Sequence, residues 1–381
     1  MCLGITAIEP TKYRRKEDSL QFSKFSAAAT VQQLHGLNWA DPGGTSEHSL
    51  YGREALGDLQ TLNKLCLFFH RIHHSCAHAG HFPVFFSFLY ETLISDSNYC
   101  AARILRAIRI AARLGFRISK ETADSIKSLS YSIVRLDKGR ILMERNYMMA
   151  YGSAEASLRL LWKFGLLELL LPIQAAYFVR HGFRRRDKRS NMLLSLFSNL
   201  DKLLAPDKPC HSSLWIAILA FHKALSEQPR DALVVAAFTL AVHNGGDMLE
   251  AVEIARTITK PHEVSFHELL EPQRLDSGAY TKEIRDLEAS FRRAIDHMTD
   301  AQIVSEAMAA YPQAPFSDLV FIPWGLSLRV SRIFNRVKVG GELGSVAKQG
   351  SKIDYESLAQ GSLPEIRHIF ARVVFDTIYP L

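Results

Sequence analysis

"CAARILRAIRIAARLGF" (residues 100–116) places four arginines, Arg103, Arg106, Arg109 and Arg113, among apolar residues. At about 100° per residue on a helix, the four fall within an arc of roughly 120°. Ile104, Leu105, Ile108, Ala111 and Ala112 fall on the opposite side. The spacing therefore predicts an amphipathic helix with one packed face and one guanidinium face. Like charges at i, i+3 and i+4 repel one another, so a helix that keeps them needs anions nearby. Two sources fit. Phosphate suits the arginine fork, which donates two parallel hydrogen bonds; alternatively, neighbouring helices supply acids to a solvated face.

Working outward, the segment around this helix is the basic part of the chain. Residues 100–190 hold 19 Lys and Arg against 7 Asp and Glu, a local +12. The whole 381-residue chain is +7, so the remainder carries −5. That concentration points to an anionic partner. Five scattered cysteines suggest no disulfide framework and favour a reducing compartment. No apolar run reaches the roughly 18 residues of a membrane span, so no membrane partner is expected. No secretory leader is evident at the N-terminus. The compartment is read as intracellular, with nucleus, chloroplast and mitochondrion all compatible, and nothing in the sequence gives an oligomeric state.

From residue 99 onward helical signals dominate. Ser119 is read as an N-cap before "KETADSIKSLS", and "SAEASLRLLWKFGLLELLLP" as a helix capped by Ser153, broken at Gly165 and stopped by Pro172. "SLWIAILAFHKAL" and "DALVVAAFTLAVH" are apolar on nearly every face and are expected in a buried core. "TKEIRDLEASFRRAIDHM" (281–298) reads as a solvent-facing amphipathic helix. The fold class is read as all-α, a multi-helix array. Three regions are expected: 1–98, irregular or poorly ordered; 99–190, helical and basic; and 191–381, helical.

The run "ARILRAIRIAARLGFRISKETADSI", with "GRILMERNYMMAYGSAEASLRLLWKFGLLELLLP" after it, resembles the neck of the tRNA nucleotidyltransferase/poly(A) polymerase family of bacterial type. The C-terminal part, ending "IRHIFARVVFDTIYPL", resembles the helical body of plant members. The resemblance covers about 100–381. It implies that 99–190 is an RNA-binding neck and 191–381 a helical body. It also implies that the stripe contacts nucleotide, with Arg103 reading the base and Arg106 and Arg109 holding the nucleotide and its phosphates. Arg113 would extend the contact to RNA.

Two departures accompany the resemblance. Tyr99-Cys100 stands where the family has Glu-Asp, which puts a neutral thiol at the templating aspartate. The family's catalytic head carries a glycine turn followed by an Asp-x-Asp pair that holds two divalent metals. Here "GGTSEH" (43–48) has the glycines, but no Asp-x-Asp precedes residue 100. Asp286-Leu287-Glu288 has the spacing but is read as helix surface. The chain is therefore read as a neck and body whose head was lost or replaced, with no catalytic or metal-binding residue of its own.

"VRHGFRRRDKR" (179–189) supplies Arg180, Arg184, Arg185, Arg186, Lys188 and Arg189 as candidate RNA-backbone contacts, against a plain solvated loop or an import signal. Tyr177, Phe178 and Phe183 could stack on bases, but are expected in the core. "HRIHHSCAHAGHF" fits no tetrahedral zinc spacing. "KVGGELGSVAKQGSK" (338–352) lacks the preceding strand of a phosphate loop. The resulting expectation is an RNA-binding relative of polynucleotide adenylyltransferases, acting in RNA 3′-end processing without its own catalytic carboxylates. The alternatives are an active nucleotidyltransferase with a divergent or trans-supplied head, using Mg2+ with ATP or CTP, and a helical interaction scaffold.

Overall fold

Local rules account for most helix starts in the computed structural model, which describes residues 97–205, 207–244, 247–273, 275–299, 322–339 and 352–380. The expectations for residues 1–96, including the glycine turn at 43–48 and the histidine patch at 70–81, lie outside the described residues. So do the side chains of Tyr99 and Cys100 and nearly all of the 338–352 loop.

The stripe forms α1 (Ser97–Leu114), followed by α2 (Lys120–Leu129), a 3-10 turn (Ser130–Arg135) and α3 (Lys138–Met149). Then come α4 (Ala154–Lys163), the single-turn α5 (Leu167–Leu170), α6 (Pro172–Arg180) and α7 (Met192–Leu203). The remaining chain builds α8 (Ser212–Glu227), α9 (Ala232–His243), α10 (Met248–Arg256), α11 (Ser277–Thr299), α12 (Trp324–Val339), α13 (Tyr355–Gln360) and α14 (Leu363–Ile378). Strand content among the described residues is two short parallel strands, β1 (Arg230–Asp231) and β2 (Leu269–Leu270). The fold is all-α, as the periodicity predicts.

Ser119 does cap α2, its hydroxyl accepting from the Thr122 amide at 3.2 Å. Ser153 precedes α4 but its side chain makes no capping bond. That role falls to Asp201 on α7, whose carboxylate oxygens accept from the Ala154 and Glu155 amides, both at 2.9 Å. An ionised or hydrogen-bonding acid there satisfies two orphan donors at the positive end of the helix. Gly165 breaks the run at φ +73°, as expected. Pro172 is a start rather than only a stop: it occupies the first turn of α6, where its missing amide hydrogen costs nothing.

One core runs through the described residues. Trp215 and Phe221 of α8, Phe238 of α9, Phe291 of α11, Phe334 of α12 and Phe370 of α14 are all fully buried. Phe334 is their hub, 3.8 Å from Phe291 and edge-on to Phe370 at 5.1 Å between ring centroids. Both apolar stretches predicted as core helices, α8 and α9, are buried along almost their whole length. In α11 the apolar face (Ile284, Leu287, Phe291, Met298) packs inward, so that helix is half core rather than surface. Toward the neck, α1 packs on α3, α4 and the 3-10 turn, and α4 packs on α7. Trp215 ties the neck to the core by donating from its indole to the Asn146 side chain at 3.0 Å.

Gly361 ends α13 in the left-handed conformation (φ +85°), where a Cβ would sit 2.9 Å from the His211 ring. Gly361→Ala adds a steric conflict to a backbone penalty of about 1–2 kcal/mol. It is expected to lower stability by at least about 2 kcal/mol in urea unfolding. Gly115→Ala, at φ +67° with nothing within 4 Å, is expected to show the backbone penalty alone.

Candidate nucleic-acid interface

The arginines of α1 sit where the helical wheel puts them. Arg103, Arg106 and Arg109 are half-buried and Arg113 is exposed, while Ala101, Ile104, Leu105 and Ile108 are buried. The face they present is not bare. α3 runs alongside and offers Glu144, Tyr147 and, just past its end, Tyr151, at i, i+3 and i+7 spacing. Glu144 is 1% exposed and holds Arg109 at 2.9 Å and Arg106 at 3.8 Å. The Arg109 guanidinium lies 4.8 Å over the Tyr147 ring, and that of Arg113 lies 5.2 Å over Tyr151. The source of the counter-charge is thus partly a neighbouring helix. A tyrosine face stabilises a guanidinium without neutralising it, so Arg109 and Arg113 stay attractive to an anion. Burial pushes the Tyr151 hydroxyl above its ordinary range, so it remains a neutral donor.

Next to Glu144, Arg145 is fully buried and donates to the Leu170 carbonyl at 2.7 Å. It belongs to the framework that ties α3 to α5.

The second basic feature is the loop after α6. It is pinned from α4. Arg159 donates to the Asp187 and Arg189 carbonyls at 3.1 and 3.0 Å, and the Trp162 indole donates to the Arg184 carbonyl at 3.1 Å. Arg185 lies 3.7 Å over the Trp162 ring, donates to the Trp162 carbonyl at 2.8 Å and pairs with Glu168. Arg189 pairs with Asp187 at 2.6 Å, which holds the Asp187 carboxyl well below the usual carboxylate range. Arg185 and Arg189 are therefore partly spoken for within the loop. Arg180, Arg184, Arg186 and Lys188 are exposed and have no ion-pair partner among the described residues. Gly182, Arg184, Arg186, Asp187, Lys188 and Arg189 line a shallow depression of about 550 Å³.

Tyr177, Phe178 and Phe183 are 6%, 0% and 7% exposed, which makes them core residues and removes them as stacking surfaces. Tyr177 stands edge-on to the buried His222 at 4.3 Å. Beside them Glu268, also buried, lies 3.7 Å from His222; burial pushes its carboxyl up, but His222 and Tyr177 beside it outweigh that and bring it to about 2.

Among the described residues, neither Asp-x-Glu stretch fits a divalent-metal pair. Asp286 and Glu288 are two apart on α11, about 200° around the helix, so their carboxylates diverge. Glu288 is 8% exposed and pairs with Arg292 at 2.5 Å, which corrects its reading as plain surface. Asp354-Tyr355-Glu356 has the same spacing, but Asp354 caps α13, accepting from the Glu356 and Ser357 amides. Among the described residues no three His, Cys, Asp or Glu side chains are grouped to hold a metal.

The segment that braces both basic features runs from the end of α1 to α6. Residues 115–178 match the family model described as "Probable RNA and SrmB- binding site of polymerase A". In this segment the chain is poly(A) polymerase-like. Over 80 residues it is 35% identical to the protein named Poly(A) polymerase I of Escherichia coli O6:H1, and 32% identical to that of Salmonella typhi. Each alignment covers 21% of this chain and 17% of the relative, so the chain spans about a sixth of the length of these curated relatives. No solved structure matches the chain.

The poly(A) polymerase-like segment contains Glu144, Tyr147 and Tyr151, which hold the stripe, and Arg159 and Trp162, which hold the loop. The stripe itself lies just before the segment and the loop just after it. Sequence reasoning missed all five bracing residues. The i, i+3, i+7 spacing of Glu144, Tyr147 and Tyr151 was the one available signal, since it repeats the spacing of the arginines they meet.

Proposed function

We propose that this chain binds single-stranded RNA through the stripe of α1 and the loop at 182–189, in a poly(A) polymerase-like role at RNA 3′ ends. The observation that carries the reading is the match at 115–178: the matched segment is the one whose side chains hold both cationic features in position. Arg103, Arg106 and Arg109 are the nucleotide-contacting groups in this proposal, and Arg113, Arg180, Arg184, Arg186 and Lys188 contact the RNA backbone. Arg185 and Arg189 act with them while staying anchored to Trp162 and Asp187. Neither Asp286 with Glu288 nor Asp354 with Glu356 is placed as a metal-holding pair, and the proposal assigns the chain binding rather than catalysis.

A second reading, nucleotidyl transfer from ATP or CTP, is favoured by one observation: the matching relatives carry the name of a polymerase. One experiment separates the two. The full chain is titrated into labelled oligo(A) at several salt concentrations, then given Mg2+ with ATP or CTP and run on a sequencing gel. The binding reading expects saturable anisotropy and an affinity that falls with salt by about 0.7 log units per log unit of salt for each phosphate neutralised. Arg184→Ala with Lys188→Ala is expected to reduce that slope by about 1.4. Absence of salt-dependent binding by the unaltered chain would overturn the reading. A protein-dependent ladder would establish transfer.

A further inference from the structure

We propose that Arg230, Ser290 and Arg293 form an oxyanion site for the phosphate group of a small ligand, and that the Gln228 side-chain oxygen stands where a phosphate oxygen would sit. The site shares no residue with the stripe or the 182–189 loop and does not depend on the RNA-binding reading. Three donors converge on the Gln228 oxygen: the Arg230 guanidinium at 3.0 Å, the Arg293 guanidinium at 3.2 Å and the Ser290 hydroxyl at 2.7 Å. The same two guanidinium nitrogens lie 3.4 and 3.0 Å from the Ser290 oxygen. Gln228 follows the end of α8, Arg230 opens β1, and Ser290 and Arg293 are three residues apart on α11, which packs on α8. The frame is anchored. The Arg230 amide donates to the Glu268 carbonyl at 3.1 Å, and Ser290 is 4% exposed. Gln228 and Arg293 are exposed, so the Gln228 side chain is free to swing into solvent and admit a solute.

The donors of this cluster outnumber the acceptors. An amide oxygen has two lone pairs, and three groups point at this one. The Ser290 hydroxyl carries a single proton and also faces the Asp286 carbonyl at 2.8 Å, so it cannot serve both oxygens. The Nε of Arg230 is buried with no hydrogen-bond partner. Charge is unbalanced as well. Glu283 pairs with Arg230 at 2.6 Å, while Arg293 meets no carboxylate among the described residues. A neutral carbonyl between two guanidiniums is a weaker acceptor than an anion. The directions of approach select phosphate over carboxylate. Donors arrive from β1 on one side and from α11 on the other, and the hydroxyl adds a third. A tetrahedral phosphate offers three oxygens to them, whereas a flat carboxylate offers two. The place is filled by one side-chain amide, a size that fits inorganic phosphate or the head of a phosphomonoester.

The test is isothermal titration of the full chain with inorganic phosphate, phenyl phosphate and acetate at constant ionic strength. Inorganic phosphate is expected to bind saturably. Arg293→Gln removes a charged donor and is expected to weaken that binding at least about 10-fold. Gln228→Glu places a carboxylate in the site from within, and is expected to abolish phosphate binding without lowering the melting temperature. Gln228→Ala clears the place and is expected to bind phosphate at least as tightly as the unaltered chain. Both positions are exposed, and circular dichroism melting keeps a folding defect from being read as a lost contact. Lys282→Gln, an exposed cation on α11, is the control and is expected to bind as the unaltered chain does. Binding of both phosphate and phenyl phosphate assigns a monoester; binding of phosphate alone assigns the free ion. Acetate binding as tight as phosphate would overturn the phosphate assignment in favour of a carboxylate. Phosphate binding that survives both Arg293→Gln and Gln228→Glu lies elsewhere on the chain and overturns the site, as does an unaltered chain that binds no phosphate. The RNA-binding reading is tested separately by oligo(A), so its failure and the failure of this site are distinguishable.

Discussion

Glu144→Ala is expected to lower the free energy of unfolding by about 3–5 kcal/mol, because it removes one partner of a buried ion pair and leaves the other uncompensated. Glu144 is 1% exposed and faces both Arg106 and Arg109. Those two guanidiniums are three residues apart on α1 and repel without it. Glu144→Gln keeps the volume and one acceptor, so its smaller expected loss measures the charge alone. Urea unfolding followed by far-ultraviolet circular dichroism reads both. A loss below about 1 kcal/mol in the alanine variant would mean that Glu144 is not the counter-ion of the stripe. The same geometry bears on tests of RNA binding. Arg106→Glu would set a second carboxylate beside Glu144 and disturb packing as well as contact, so a neutral replacement such as Arg106→Gln is the cleaner probe.

The second large effect is a pH dependence centred on Asp201. Burial pushes its carboxyl up to about 7, against the two amide bonds that favour its ionised form. In the unfolded chain an aspartate titrates near about 3.9. Between those values the folded state holds a proton that the unfolded state has released. Stability therefore falls as pH rises from about 4 to about 7, by up to about 4 kcal/mol, and levels above that. His181 and His211, both held below their ordinary range by burial, act in the opposite direction as they titrate. Glu268, drawn down to about 2, loses its contribution only as pH falls from about 4 toward 2. These groups persist in Asp201→Asn, so the difference between the two proteins isolates Asp201. Asn matches the protonated carboxyl in shape and charge, so the unfolding free energies of the two proteins are expected to lie closest near pH 4 and to separate as pH rises toward 7, the unaltered protein falling relative to Asp201→Asn. Parallel curves would show that Asp201 does not titrate in this window.

Much of the fold was legible in local patterns. Arg103, Arg106, Arg109 and Arg113 lie on one side of α1 because side-chain direction repeats every 3.6 residues, whatever the helix later packs on. The apolar stretches of α8 and α9 are buried because no face of either is suited to water. Ser119 and Gly165 act through bonds and dihedral angles within a few residues of themselves.

What the sequence determined by itself was therefore the helical class, the order of the elements and the placing of four arginines on one stripe. Only the tertiary structure decided what meets that stripe and what steadies the basic loop. Glu144 reaches the arginines from α3, Asp201 caps α4 from 47 residues away, and Arg159 and Trp162 hold a loop more than twenty residues downstream. The physical reason is range. Periodicity and capping follow from neighbours along the chain. Charge pairing and desolvation depend on which helix faces are pressed together, and that is settled by the shape of a shared core.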